Sequence, residues 1–127
     1  RRDVAKKDLA LRPWMRWAPA EFYADPAVIA MTQEQVWRYR GALDASWMSA
    51  TPGEGTENDW RRMLGVPPSR WEECRDAYAA AFQIEGDKWL QKRMVAELEH
   101  VTKKRRAKSE SGLRSALARN QRPLNDR

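Results

Sequence analysis

The 127-residue chain has only one cysteine, Cys74, and one histidine, His100. One cysteine excludes an internal disulfide, and so few sulfur and imidazole ligands exclude a Cys- or His-rich metal cluster. No apolar run approaches the ~20 residues of a membrane-spanning helix, and no segment has the pattern of a secretion signal. We therefore expect a protein without a bound metal or a membrane span, located in the cytoplasm.

Motifs for catalysis are missing as well. The sequence has no glycine-rich phosphate loop, and a single histidine supports no Ser–His–Asp set. Cys74 falls on an apolar helical stripe, which favours a small buried side chain over a nucleophile. Neighbouring carboxylates such as Glu72 and Glu73 point in different directions on a helix, which favours solvated charge. The sequence predicts a protein that is not an enzyme and uses no cofactor.

Positive charge, in contrast, is concentrated in the last third of the chain. Residues 1–87 contain 12 Lys and Arg against 14 Asp and Glu, a net charge of −2. Residues 88–127 contain 12 Lys and Arg against 4 Asp and Glu, a net charge of +8. The net charge of +6 of the whole chain therefore comes from this last third. Such asymmetry is typical of a near-neutral body with an attached electrostatic arm.

Apolar residues at helical spacing predict that the first 82 residues are mostly helical after an extended, aromatic segment over 13–19. Three helices are indicated by a Ser or Thr followed three residues later by a side chain that completes a capping box. These pairs are Thr32 with Gln35, Thr56 with Asp59, and Ser69 with Glu72. The aromatic residues expected to pack in the core with these helices are Trp37, Tyr39, Trp47, Trp60, Trp71, Tyr78 and Phe82.

The remaining elements are a hairpin and a last helix. Glu85-Gly86-Asp87 is a tight turn between two short β-favourable runs, which predicts a β-hairpin over 83–90. From Gln91 the spacing is helical again. Helix, short helix, tight turn, helix, hairpin and helix is the order of a winged helix-turn-helix domain. We expect a mainly α, α+β fold of this kind with a long basic C-terminal helix.

The predicted domain organisation has three parts. Residues 1–13 form a lead-in segment, residues 14–102 form the winged-helix-like globular domain, and residues 103–127 form a basic helical extension or tail. The division follows from the change in charge, because the globular part is near neutral and the extension is strongly basic.

An ordered set of motifs between residues 14 and 111 gives the chain a resemblance to a known family. The motifs are residues 17–25, residues 31–39 with Leu43-Asp44 and Trp47, residues 60–65, Trp71, the hairpin before Lys92-Arg93-Met94, and the basic stretch 103–108. In this order and spacing the chain resembles the YdaU-type domain of unknown function found in phage and prophage replication modules. The resemblance implies a winged-helix fold and a role in phage or prophage DNA replication in a bacterial cytoplasm. The family's glycine-rich basic run is reduced here to one glycine, Gly112.

The first candidate nucleic-acid site is a cluster that we call the basic run: Lys103, Lys104, Arg105, Arg106 and Lys108. Five cations within six helical residues cover more than one face of the helix. Such a helix binds phosphates through charge neutralisation and counterion release, without reading bases. The alternative is a solvated tail that aids solubility.

Three further cations are secondary candidates for contacts with a nucleic-acid backbone, or else ordinary surface charges: Arg61, Arg62 and Lys88. The helix expected over residues 70–82 would be the recognition helix of a winged-helix domain, but it is a poor candidate for base readout. It carries two arginines, but also three carboxylates that oppose the approach of phosphates. Its charged residues are Arg70, Glu72, Glu73, Arg75 and Asp76.

These observations predict a DNA-binding or replication-accessory module of phage or prophage origin. The main alternative is a protein–protein adaptor without DNA affinity of its own. It would dock onto a helicase or another replication protein, or form a homodimer through Met94, Leu98 and Val101. A small host-takeover or inhibitor protein is a third interpretation of the same composition.

Overall fold

The computed structural model describes residues 15–120 of the chain, so the predicted lead-in segment and residues 121–127 lie outside the described part. The described residues are mostly helical, with one small antiparallel sheet and a long last helix. In chain order the elements are α1 (Pro19–Ala24), α2 (Pro26–Ile29), α3 (Gln33–Trp47), β1 (Glu54–Thr56), α4 (Glu57–Leu64), α5 (Pro68–Ala79), β2 (Gln83–Glu85), β3 (Lys88–Leu90) and α6 (Lys92–Asn120).

The described residues form two compact units. The first ends at Glu97 and holds the sheet and all helices up to the first turns of α6. The second begins at Leu98 and consists of the remainder of α6. The sequence places the end of the globular domain at residue 102, also within this helix.

Two of the three predicted capping boxes are confirmed. The Thr32 side chain accepts a hydrogen bond from the Gln35 N–H, and the Gln35 side chain accepts one from the Thr32 N–H. Thr56 and Asp59 make the same reciprocal pair at the start of α4. Each box satisfies backbone donors that a helix terminus otherwise leaves free, so α3 and α4 begin where their sequences predict.

The third predicted capping box is wrong, because α5 begins at Pro68 and has no side-chain cap. Proline is favoured in the first turn, since its φ is already helical and its missing N–H needs no partner there. Ser69 therefore lies inside the helix. Proline is also the first residue of α1, at Pro19, and of α2, at Pro26. Two short helices therefore follow the segment that the sequence predicts as extended.

The sheet contains one strand that the sequence does not predict. β1 pairs antiparallel with β3, placing Glu54 opposite Leu90 and Thr56 opposite Lys88. β2 pairs with the other edge of β3, so the strand order is β1-β3-β2. The predicted hairpin between β2 and β3 is confirmed, and Gly86 adopts the positive φ of 63° that its tight turn requires.

Aromatic side chains from α1, α3, α4, α5 and β3 pack in the core of the first unit. Trp60 is fully buried, and its indole N–H donates to the Trp89 carbonyl at 2.9 Å. The Phe82 ring lies beside both, with centroid distances of 4.5 Å to Trp60 and 5.4 Å to Trp89. The predicted burial of Trp47, Trp60 and Trp71 is confirmed.

Three residues that the sequence places in the core are not fully buried, and the first of them, Phe82, is half-buried. Trp37 is 68% exposed, because it lies on the outer face of α3 while Tyr39, two residues later, points inward. Cys74 is half-buried, and its thiol donates to the Arg70 carbonyl at 3.4 Å. Burial raises the pKa of this thiol, which disfavours the nucleophilic thiolate.

Ser46 joins α3 to the turn that precedes β1. Its buried hydroxyl accepts a hydrogen bond from the Gly53 N–H at 2.9 Å. Gly53 has a φ of 82°, and a Cβ at this position would lie 2.8 Å from the Val95 side chain. The backbone of this turn therefore packs directly against the start of α6, and the Gly53 N–H depends on Ser46 for its partner.

Ser46→Ala is expected to lower the free energy of unfolding by about 1–3 kcal/mol, because it leaves the buried Gly53 N–H without a partner. Urea denaturation at neutral pH measures the change. Ser69→Ala, at an exposed position of α5, is the matched control and should stay within about 0.5 kcal/mol of the wild type. Equal effects of the two substitutions would contradict the importance of the Ser46 hydrogen bond.

Candidate nucleic-acid interface

All five residues of the basic run lie on α6, and all five side chains are exposed. None forms an ion pair with a carboxylate in residues 15–120. Residues 98–120 contain seven Lys and Arg against two Asp and Glu, a net charge of +5. The positive charge of the second unit is thus not neutralised by the described part of the chain.

The cations of the second unit are unevenly distributed around the helix axis. At about 100° per residue, five of them fall within an arc of roughly 160°. These five, which we call the cationic stripe, are Lys103, Lys104, Lys108, Arg114 and Arg119. At a rise of 1.5 Å per residue the stripe extends about 24 Å, the axial length of about seven base pairs of duplex DNA.

The opposite side of this helix is partly apolar. Leu113 and Leu117 lie one turn apart and are both exposed, while Ala116 beside them is half-buried. Arg105 and Arg106 lie outside the cationic stripe. Arg105 falls near its edge, whereas Arg106 falls on the side of Leu113 and Leu117. Most of the cations of this helix therefore lie on one side, and Arg106 lies on the other.

The first unit has the opposite charge. Residues 15–97 contain 10 Lys and Arg against 13 Asp and Glu, a net charge of −3. Because exposed charges act over about 10 Å at ordinary salt concentrations, a phosphate backbone near this surface is repelled by its carboxylates. Within residues 15–120, the net positive charge is therefore carried by α6.

Both arginines of α5 are held in ion pairs. The Arg70 Nε lies 3.2 Å from the Glu73 carboxylate, and the Arg75 Nε lies 3.0 Å from that of Glu57. Arg75 also lies 3.3 Å from Asp76, an exposed carboxylate. α5 therefore offers paired arginines and solvent-exposed carboxylates, an arrangement that disfavours insertion between two phosphate backbones.

The Glu57 carboxylate links α4 to α5. It accepts hydrogen bonds from Arg75 and, at 2.6 Å, from the Trp71 indole N–H. The hydrogen bond from Arg75, followed by that from Trp71, lowers the pKa of Glu57 below its usual value. A carboxyl whose pKa falls on folding stabilises the folded state when it is ionised.

The stability that Glu57 contributes should therefore be fully present above about pH 5 and decline as the pH falls below about 4, through the lowered pKa. Urea denaturation of the wild type and Glu57→Gln from pH 3 to 7 tests this. The stability difference between them should be largest at neutral pH and shrink in acid. The expectation fails if that difference is independent of pH. Glu72→Gln, which removes an exposed carboxylate of α5, is the control at pH 7.

The three secondary candidates occupy different environments. Arg61 is half-buried, donating to the Val66 carbonyl at 2.7 Å and to the Asn58 side chain at 2.9 Å and 3.1 Å. It thereby holds the turn between α4 and α5. Arg62 and Lys88 are exposed and make no ion pair within the described residues, so their proposed phosphate contacts stay predictions.

Arg38 is a structural residue that sequence reasoning missed. Arg38 lies on α3, and its guanidinium donates to the carbonyls of Leu64 and Gly65 at 3.2 Å and 2.7 Å. Leu64, at the end of α4, is 26 residues away in the sequence. These bonds satisfy the end of α4, where Gly65 takes a φ of 73°. No local sequence signal predicts this contact, because it depends on how α3 packs against α4.

Within residues 15–120, no three His, Cys, Asp or Glu side chains converge as a set of metal ligands. In the same range, no helix has both the length and the apolar character needed to traverse a bilayer. No protein-family model, curated protein or solved structure matches the chain.

Proposed function

We propose that the chain is a winged-helix DNA-binding or replication-accessory module whose last helix binds phosphates without reading sequence. The observation that carries the proposal is the basic run on α6, which is fully exposed and has no ion-pair partner in residues 15–120. Exposed helical cations of this kind bind polyanions mainly through the release of condensed counterions.

The order of elements supports the winged-helix part of the proposal. From α3 to β3 the chain runs helix, strand, helix, helix, strand, strand, and the sheet order is β1-β3-β2. The turn between α4 and α5 contains a left-handed glycine, as helix-turn-helix units commonly do. The hairpin of β2 and β3 would be the wing, and α5 would be the helix that such domains use for recognition.

The distribution of charge supports non-specific binding through α6 rather than base readout through α5. The arginines of α5 are paired with carboxylates, whereas the cations of α6 are not. In this mechanism α6 provides the affinity, and the winged-helix body orients the contact or excludes the duplex from its acidic surface. The resemblance to YdaU-type domains supports a place for this activity in phage or prophage DNA replication in a bacterial cytoplasm.

Fluorescence anisotropy of labelled oligonucleotides at several salt concentrations tests the proposal. If five cations contact phosphates, log K should fall with log salt concentration with a slope of about −4.5 for a duplex and about −3.5 for a single strand. Duplexes of unrelated sequence should bind equally well. An absence of binding, or a slope near zero, would contradict the proposal.

A protein–protein adaptor is the second candidate, and the acidic surface of the first unit favours it. Glu72, Glu73 and Asp76 are exposed on one helix and suit a basic partner protein. The sequence predicts Met94 as one of the contacts of a homodimer. Met94 cannot make this contact, because it is 2% exposed and lies in the core of the first unit. An adaptor would capture a replication protein in solution while showing no affinity for either form of DNA.

A further inference from the structure

The outer face of α3 is exposed and has no cover within the described residues. At about 100° per residue, Trp37, Gly41, Asp44 and Met48 lie within roughly 60° of one another. Trp37 is 68% exposed and Met48 is 54% exposed. Gly41 lies between them, and a Cβ built on it would meet nothing within 4 Å. The face thus has two large apolar side chains on either side of an open notch.

We propose that this face is an interface between two copies of the chain, in which the α3 helices pack antiparallel about a two-fold axis. A two-fold interface uses the same patch on both copies, so the patch must complement itself. An axis close to Gly41 and Asp44 places Trp37 of each copy against Met48 of the other. Thioether–aromatic contacts are favourable, and Gly41 lets the helices approach closely where they cross.

The charges on this side of α3 are complementary under the same symmetry. Arg40 and Asp44 are one turn apart, and neither has an ion-pair partner in residues 15–120. The Arg40 guanidinium stacks over the Trp17 ring at 3.5 Å, which holds it beside the exposed face. In an antiparallel pair, Arg40 of each copy comes next to Asp44 of the other, which gives two opposite-charge contacts.

The size of the face sets the expected strength of the dimer. α3 has 15 residues and is about 22 Å long, so one side of it buries less than the roughly 800 Å² per partner of a standard interface. We therefore expect a reversible dimer that is populated at micromolar concentrations and above.

Sedimentation velocity without nucleic acid, from about 5 to about 500 μM, tests the proposal. The wild type should pass from monomer to dimer over this range. Gly41→Gln should raise the dissociation constant at least about tenfold, because its side chain fills the notch where the helices cross. The substituent meets nothing within the monomer and favours helix, so Tm should rise while dimerisation is lost. Unfolding is thereby excluded as the cause.

Gly112→Gln is the matched control, since Gly112 is also a helical glycine whose Cβ would meet nothing within 4 Å. This variant should dimerise like the wild type, whereas Trp37→Ala should dissociate like Gly41→Gln. A wild type that stays monomeric throughout, or a Gly41→Gln variant that dimerises normally, overturns the proposal. If the wild type is monomeric and Gly41→Gln weakens DNA binding, the face contacts nucleic acid instead.

Discussion

Replacing all five residues of the basic run with glutamine is expected to lower affinity for duplex DNA by about 500-fold at 0.1 M salt. Three of the five, Lys103, Lys104 and Lys108, lie on the cationic stripe that faces a duplex. Each phosphate contact contributes about 0.9 to the slope of log K against log salt concentration, so three lost contacts remove about 2.7 logarithmic units at 0.1 M relative to 1 M salt. Glutamine is a good helix former, so α6 should keep its helical circular dichroism. Anisotropy with the duplex, at the same salt concentrations as for the wild type, measures the change.

A pair of double variants separates α6 from the first unit. The first variant combines Lys104→Gln with Lys108→Gln and removes two exposed cations from α6. The second combines Arg62→Gln with Lys88→Gln and removes two exposed cations from the first unit. We expect the first pair to lower affinity by about 60-fold at 0.1 M salt and the second by less than about threefold. Equal losses would show that the contact extends over the first unit and that α6 has no special part in it.

Trp60→Ala is expected to have the largest effect on stability, about 3–5 kcal/mol. Trp60 is fully buried, so the substitution leaves a large cavity beside Phe82. It also removes the indole N–H that pairs with the Trp89 carbonyl of β3. Since single domains are stable by only about 5–15 kcal/mol, a loss of this size brings the fold near its limit. Chemical denaturation followed by far-UV circular dichroism measures it.

Trp37→Ala is the matched control, because the same change at a position 68% exposed should stay within about 0.5 kcal/mol of the wild type at low protein concentration. Trp60→Phe keeps an aromatic ring and removes the indole N–H, so its smaller loss reports the hydrogen bond and the change of shape. Similar costs for Trp60→Ala and Trp37→Ala would contradict the position of Trp60 at the centre of the core.

Features set by neighbouring residues could be predicted from the sequence. The capping boxes at Thr32 and Thr56 place the first turns of α3 and α4 because each involves side chains only three residues apart. The turn at Gly86 needs a positive φ that glycine adopts freely. The exposure of the basic run could also be predicted from local sequence, because five cations within six helical residues cannot all be buried.

Features set by distant contacts could not be predicted. β1 has the sequence Glu54-Gly55-Thr56, which has no apolar alternation and becomes a strand only by pairing with β3. The exposure of Trp37 depends on which side of α3 the other helices cover. The ion pair of Glu57 with Arg75 joins two helices, so the neutralisation of Arg75 by Glu57 depends on the folded chain.

The most direct test of phosphate binding by α6 is a titration of the ¹⁵N-labelled chain with a short duplex, followed by amide chemical shifts. If α6 binds phosphates, the largest changes should fall on residues 98–120, centred on the basic run, and vanish as salt is added. Changes confined to α5 and the β2–β3 hairpin, with the amides of α6 unaffected, would contradict it.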